Sequence, residues 1–185
     1  MKKVLALTAL ALLLAASSAP AQLGTTAPTA TVAVNVGAEA ALTIQTTALT
    51  LTQNGNNFSD YTGTTAFTYF IRTSKTGGTG SIVLEVTTDF SAGGGNSPSV
   101  ASPPTNTDHL YYSCTVPNPT SGTATPCTGP VNSSTTTATN VAGFGADARS
   151  PKAGVASSVT WGLSNDPLYQ TGSYMATVTY TISAA

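Results

Sequence analysis

Charge is what this sequence has least of. Six Lys and Arg and seven Asp and Glu serve a chain of 185 residues, with one histidine. There is no basic stripe for a phosphate backbone, so the composition implies no nucleic-acid partner. Glu, Lys and Arg are too scarce to clothe helix faces. No segment past residue 21 repeats apolar residues at i, i+3, i+4, so the mature chain is expected to hold almost no helix. Metal ligands are equally short. One His and two Cys cannot make a zinc site, and the acids stand singly rather than in the alternating Asp/Asn pattern of a calcium loop. No G-x-S-x-G elbow accompanies His109 and Asp108, and His109 reads as a solvated loop residue or hydrogen-bond partner rather than as a member of a triad. No cofactor and no catalytic residue is assigned. A hydrolase using two carboxylates brought together from distant positions is kept as the least favoured alternative.

Long apolar runs are missing too, apart from the one at the start. Lys2 and Lys3 precede an apolar stretch, Val4 to Ala16, and Ala19-Pro20-Ala21 follows. A positive start, about a dozen apolar residues and an A-x-A site describe a secretory signal peptide, too short to span a bilayer. Residues 1–21 are therefore expected to be cleaved, with no membrane span left. Loss of Lys2 and Lys3 leaves four cations against the seven acids, a net charge of −3. Residues 22–30 read as a flexible lead and 31–185 as one domain, secreted to the periplasm or bacterial cell surface.

What the chain does have is threonine and period-two alternation. Thr is β-branched and sits well on pleated surfaces, including solvent-facing ones. Tyr174, Ala176, Val178, Tyr180 and Ile182 share one face of Gly172–Ser183, the clearest strand in the chain. Val155, Val159, Trp161 and Leu163 alternate with polar residues in a second, which places Trp161 in the core. Ala66–Ser74 and Ser81–Thr88 read as a hairpin turning at Thr76–Gly80. Val32, Val34 and Val36 alternate near the start, followed by Leu42 and Ile44. Leu110–Val116 is a further short strand. Tyr61–Thr65, Ser91–Asp108 and Pro117–Pro130 read as loops, and 141–152 carries no assignable pattern. About eight short strands without a βαβ rhythm predict an all-β, antiparallel Greek-key β-sandwich, Ig-like or pilin-like.

Cys114 and Cys127 are the only cysteines. In an exported chain, flanking a Pro/Gly loop, they are expected to form a disulfide. Tyr111, Tyr112 and Tyr169 are candidate ligand-contact aromatics for a glycan. Val32, Val34 and Val36 form a candidate strand-exchange arm, able to complete a neighbour's sheet. Pairing of Val32–Val36 within its own sheet is slightly favoured over that exchange.

Gly172-Ser-Tyr174 with Thr177-Val-Thr-Tyr180-Thr-Ile182 resembles the G-x-Y-x-x-T-V-x-V-x-V close of bacterial spore-coat-U and fimbrial-type domains. Trp161-Gly-Leu163 is more faintly similar to the W-x-L motif of wall-binding domains. The chain lacks the cysteine that spore-coat-U domains carry in their first strand. The resemblance implies a secreted, non-catalytic structural or surface sandwich, a pilin- or coat-like subunit whose partners are copies of itself or other surface subunits. A carbohydrate-binding or adhesion module is the alternative.

Overall fold

A computed structural model describes residues 30–90 and 96–185. The expected signal peptide, residues 22–29 of the lead, and Ser91 to Gly95 lie outside the described residues. Contacts divide the chain into a unit ending at Asn35 and a second from Val36 to Ala185. The described part of the first, residues 30–35, has no regular secondary structure.

The second unit is all-β, without helix among the described residues. Its strands are β1 (Glu39–Ile44), β2 (Thr52–Gln53), β3 (Tyr61–Arg72), β4 (Gly80–Thr88), β5 (Tyr111–Thr115), β6 (Ala124–Pro126), β7 (Val131–Asn132), β8 (Thr139–Phe144), β9 (Val155–Leu163) and β10 (Thr177–Ala184). They form two antiparallel sheets. One runs β1-β3-β9-β5-β7, with β2 on the same edge of β3 as β1, and the other runs β10-β4-β8-β6. Every connection from β3 onward changes sheet, so the expected hairpin does not exist. β3 and β4 stand in opposite sheets, and the Thr76–Gly80 turn spans the gap between them. At Gly78 a side chain would collide with the backbone of Ser74 and Ala185, so only glycine fits that crossing.

Period-two alternation sets which residues meet in the middle. Phe67, Tyr69 and Ile71 of β3, Ile82, Leu84 and Val86 of β4, Tyr112 of β5, Val141 and Phe144 of β8, and Val159, Trp161 and Leu163 of β9 make one core from both sheets. Several polar atoms carried inward find partners. The Trp161 indole N–H donates to Thr65 Oγ1 at 2.9 Å, and the Tyr69 hydroxyl donates to the Pro117 carbonyl at 2.7 Å. Burial pushes the Tyr69 phenol up to about 12.

The structure moves several strand boundaries. β3 begins at Tyr61, because Tyr61–Thr65 pairs with β9, where a loop was expected. β6, β7 and β8 come from stretches read as loop or left unassigned. β10 starts at Thr177, five residues later than the alternation suggests. Tyr174 folds back instead, donating its hydroxyl to the Gln170 carbonyl at 2.7 Å. Residues 31–36 belong to no strand, which corrects the expectation that they pair in their own sheet.

Candidate interaction surface

β1 and β10 are the edges of their sheets on the same side of the unit. β10 is hydrogen-bonded only to β4, so the N–H and C=O groups on its outer side have no ladder partner. Its inward residues Val178, Tyr180 and Ile182 are half-buried where those of the central strands are fully buried. Alongside lies a groove of about 1250 Å³. Its floor is Trp161, Leu163 and Leu110 of the core together with the half-buried Tyr180. One wall is the Thr46–Leu51 segment and the other is Gly172–Val178. Leu49 and Leu51 reach over Gly63 of β3, whose missing side chain makes the room for them. Among the described residues the groove is lined by no Lys or Arg, and Asp166 is its one acid. Phe58 and Met175 on its rim are 60% and 74% exposed.

Acids gather at one mouth of this groove. Asp166 accepts from the Leu168 N–H at 2.7 Å and from Thr105 Oγ1 at 2.8 Å; these two bonds hold its carboxyl below the usual range. The contacts tie the loop after β9 to the loop before β5. Asp108 is buried, with Oδ2 lacking a partner, as does the nearby Tyr169 hydroxyl. Burial and then the negative charges of Asp108 and Asp166 push the Tyr169 phenol well above its ordinary value. Just past the end of β4, Asp89 is held by the amides of Val100, Ala101 and Phe90 and by the Ser99 hydroxyl, at 2.7–3.1 Å. Burial alone would raise that carboxyl, but the four donors outweigh it and lower its pKa.

The residues singled out in the sequence fall in different places. Tyr112 is 0% exposed, and its hydroxyl is within 2.8 Å of Thr139 Oγ1 and 3.0 Å of the Asn140 carbonyl. It is a core residue and offers no surface to a ligand. Trp161 is likewise buried. Tyr111 is half-buried on the outer face, its ring lying where a side chain on Gly162 would stand and its hydroxyl donating to Asp60 at 3.1 Å. Burial first, and then Asp60, raises its pKa. Of the three candidate tyrosines only Tyr169 lines the groove. Val32, Val34 and Val36 are 94%, 82% and 64% exposed.

Cys114 and Cys127 form the expected disulfide, with Cα atoms 5.6 Å apart. Cys114 is in β5, and Cys127 follows β6 and bonds to Val141 of β8, so the bridge staples one sheet to the other. Among the described residues no helix is long and apolar enough to cross a membrane, and no three His, Cys, Asp or Glu side chains converge as metal ligands would. The groove was not visible in the sequence. Its one local signal is Gly63, in a stretch that reads as loop until the fold brings it opposite the Leu49 and Leu51 pair. Set against family models, curated proteins and solved structures, the chain matches none of them.

Proposed function

We propose that this is a secreted, non-catalytic structural or cell-surface protein, a pilin- or coat-like subunit of Greek-key, Ig-like design that assembles by β-strand addition. The observation that carries the reading is one mismatch within the chain. Val32, Val34 and Val36 form a period-two apolar row that is exposed and unpaired, while the outer edge of β10 lacks a strand beside an apolar groove. A strand laid along β10 would satisfy that edge, and its alternate side chains would enter the groove. Exposed apolar edges invite this pairing, and proteins that do not use it blunt such edges with charge or Pro. β10 carries neither. The Cys114–Cys127 staple suits an oxidising compartment, in keeping with the secretory start of the sequence.

The test is size. Mature protein should form ladders resistant to mild SDS and elute as multimers, and a variant lacking residues 30–36 should elute as a sharp monomer. Identical monomeric elution of both would sink the proposal. The glycan alternative rests on Tyr111 and Tyr169 alone once Tyr112 and Trp161 are in the core, and binding on a glycan array lost in Tyr169→Ala would favour it.

A further inference from the structure

Outside the expected leader the chain carries four cations, scattered along the sequence at Arg72, Lys75, Arg149 and Lys152. The fold gathers all four at one end of the two-sheet unit. Arg72 ends β3, Lys75 sits in the turn that follows, Arg149 is bridged antiparallel to Arg72, and Lys152 lies in the turn entering β9. Two acids share this end, Glu39 paired with Arg72 at 2.8 Å and Asp147 paired with Arg149 at 3.1 Å. Counting side chains, four cations and two acids leave it two positive charges in excess.

The opposite end is the reverse. Asp60 precedes β3, Asp89 follows β4, Asp108 precedes β5 and Asp166 follows β9, with no cation there among the described residues. Glu85, the seventh acid, stands mid-strand on β4. The 12 residues of β3 separate the two ends by roughly 37 Å at about 3.4 Å per step. That is several Debye lengths at physiological salt, about 8 Å each, so the ends do not neutralise one another within a copy.

The two assembly elements are divided in the same way. Glu39 of β1 pairs with Arg72, and Gly37 O accepts from Arg72 Nε at 2.6 Å, so the chain that follows the valine row enters β1 at the cationic end. The groove opens at the acidic end, with Tyr61, Asp166 and Tyr169 at its mouth.

We infer that copies of this chain associate head to tail, the cationic end and valine row of one meeting the acidic end and groove of the next. This rests on the strand-addition reading and adds to it a partner, a polarity and a symmetry. Such a contact joins two different surfaces, so each added copy presents a fresh acceptor and the assembly extends as a filament. Opposite charge speeds the encounter, and like charge disfavours head-to-head and tail-to-tail approach.

Charge reversal at each end tests it on the mature full chain. Lys75→Glu with Lys152→Glu, both in exposed turns, takes the cationic end from two positive to two negative charges. Asp60→Lys adds two units and Asn57→Lys, Asn106→Lys and Leu168→Lys add one each, taking the acidic end from four negative charges to one positive. All four positions are exposed and none is in the floor or walls of the groove. Light scattering should show wild type growing into filaments, at least tenfold more slowly at 500 mM than at 20 mM NaCl. Each reversed variant alone should stay monomeric, and an equimolar mixture of the two should grow, since every contact between them is again complementary. Recovery in the mixture also shows that both variants are folded. Either variant growing alone like wild type, or a mixture that stays monomeric while wild type grows, overturns the polarity. If growth is unaffected by reversal but lost on deleting residues 30–36, strand addition stands and the head-to-tail inference falls. A wild type that stays monomeric in every condition ends both.

Discussion

Strands β9 and β10 both carry a run of three large apolar residues at alternate positions, and both face the same core. Val159, Trp161 and Leu163 of β9 are 0%, 5% and 5% exposed, whereas Val178, Tyr180 and Ile182 of β10 are only half-buried. β9 lies between β3 and β5, and β10 has β4 on one side and nothing hydrogen-bonded on the other. Alternation decides which way a side chain faces; the number of neighbouring strands decides how much water it loses. A region patterned like core yet left half-wet keeps apolar surface that a further strand would cover.

The sharpest way to break the comparison is at its buried side. Trp161→Ala removes the largest core ring of β9 and leaves the Thr65 hydroxyl without its donor, and should cost about 3–5 kcal/mol in denaturant unfolding. A loss under about 1 kcal/mol would mean that β9 is not the centre of the core. Replacing Cys114 and Cys127 together by Ser should cost about 3 kcal/mol, since the bridge closes a loop of sequence separation 13. Matched truncations then compare the strands directly. Val159→Ala should cost about 2–3 kcal/mol and Val178→Ala about 1 kcal/mol in the monomer. Equal costs would contradict the edge position of β10. In assembled protein Val178→Ala should become the more damaging of the two.

Acid offers a milder probe at the end of β4. The Asp89 carboxyl is lowered on folding, so its contribution is complete above about pH 5 and is lost as the pH falls through the folded value. The Val100 and Ala101 amides that donate to it should lose hydrogen-exchange protection over that acid range, and in Asp89→Asn the loss should no longer follow pH. Smallest of all is Glu39→Gln. The Arg72–Glu39 pair is exposed, 41% and 75%, and should be worth no more than about 0.5 kcal/mol to the monomer.

Much of the fold was legible locally. The inward faces of β3, β4, β9 and β10 and the disulfide follow from alternation and from the lone cysteine pair. β8 escaped because Thr139–Phe144 alternates poorly, with Val141 and Ala142 both buried and Val141 skipped in the register against β4. β6 and β7 are two or three residues long and exist only because longer neighbours offer them a ladder. The Tyr61–Thr65 stretch, rich in Thr and broken by Gly63, carries too little apolar signal to announce a strand, yet β9 pairs with its whole length. Tyr112 looked like a surface ring beside Tyr111, but adjacent residues on a strand face opposite ways, and the fold chose Tyr112 for the core.

The sequence by itself determined that this chain is made of strands, which side chains of the long ones face together, and which two sulfurs meet, because these depend on neighbours two residues apart or on there being no other choice. Only the tertiary structure decided that β3 and β4 part into opposite sheets, that the disulfide joins those sheets, that β10 keeps an open edge beside a groove, and that four cations and four acids collect at opposite ends. Each of these depends on which strands lie side by side, a matter of packing energy summed over the whole core, and no local pattern carries that sum.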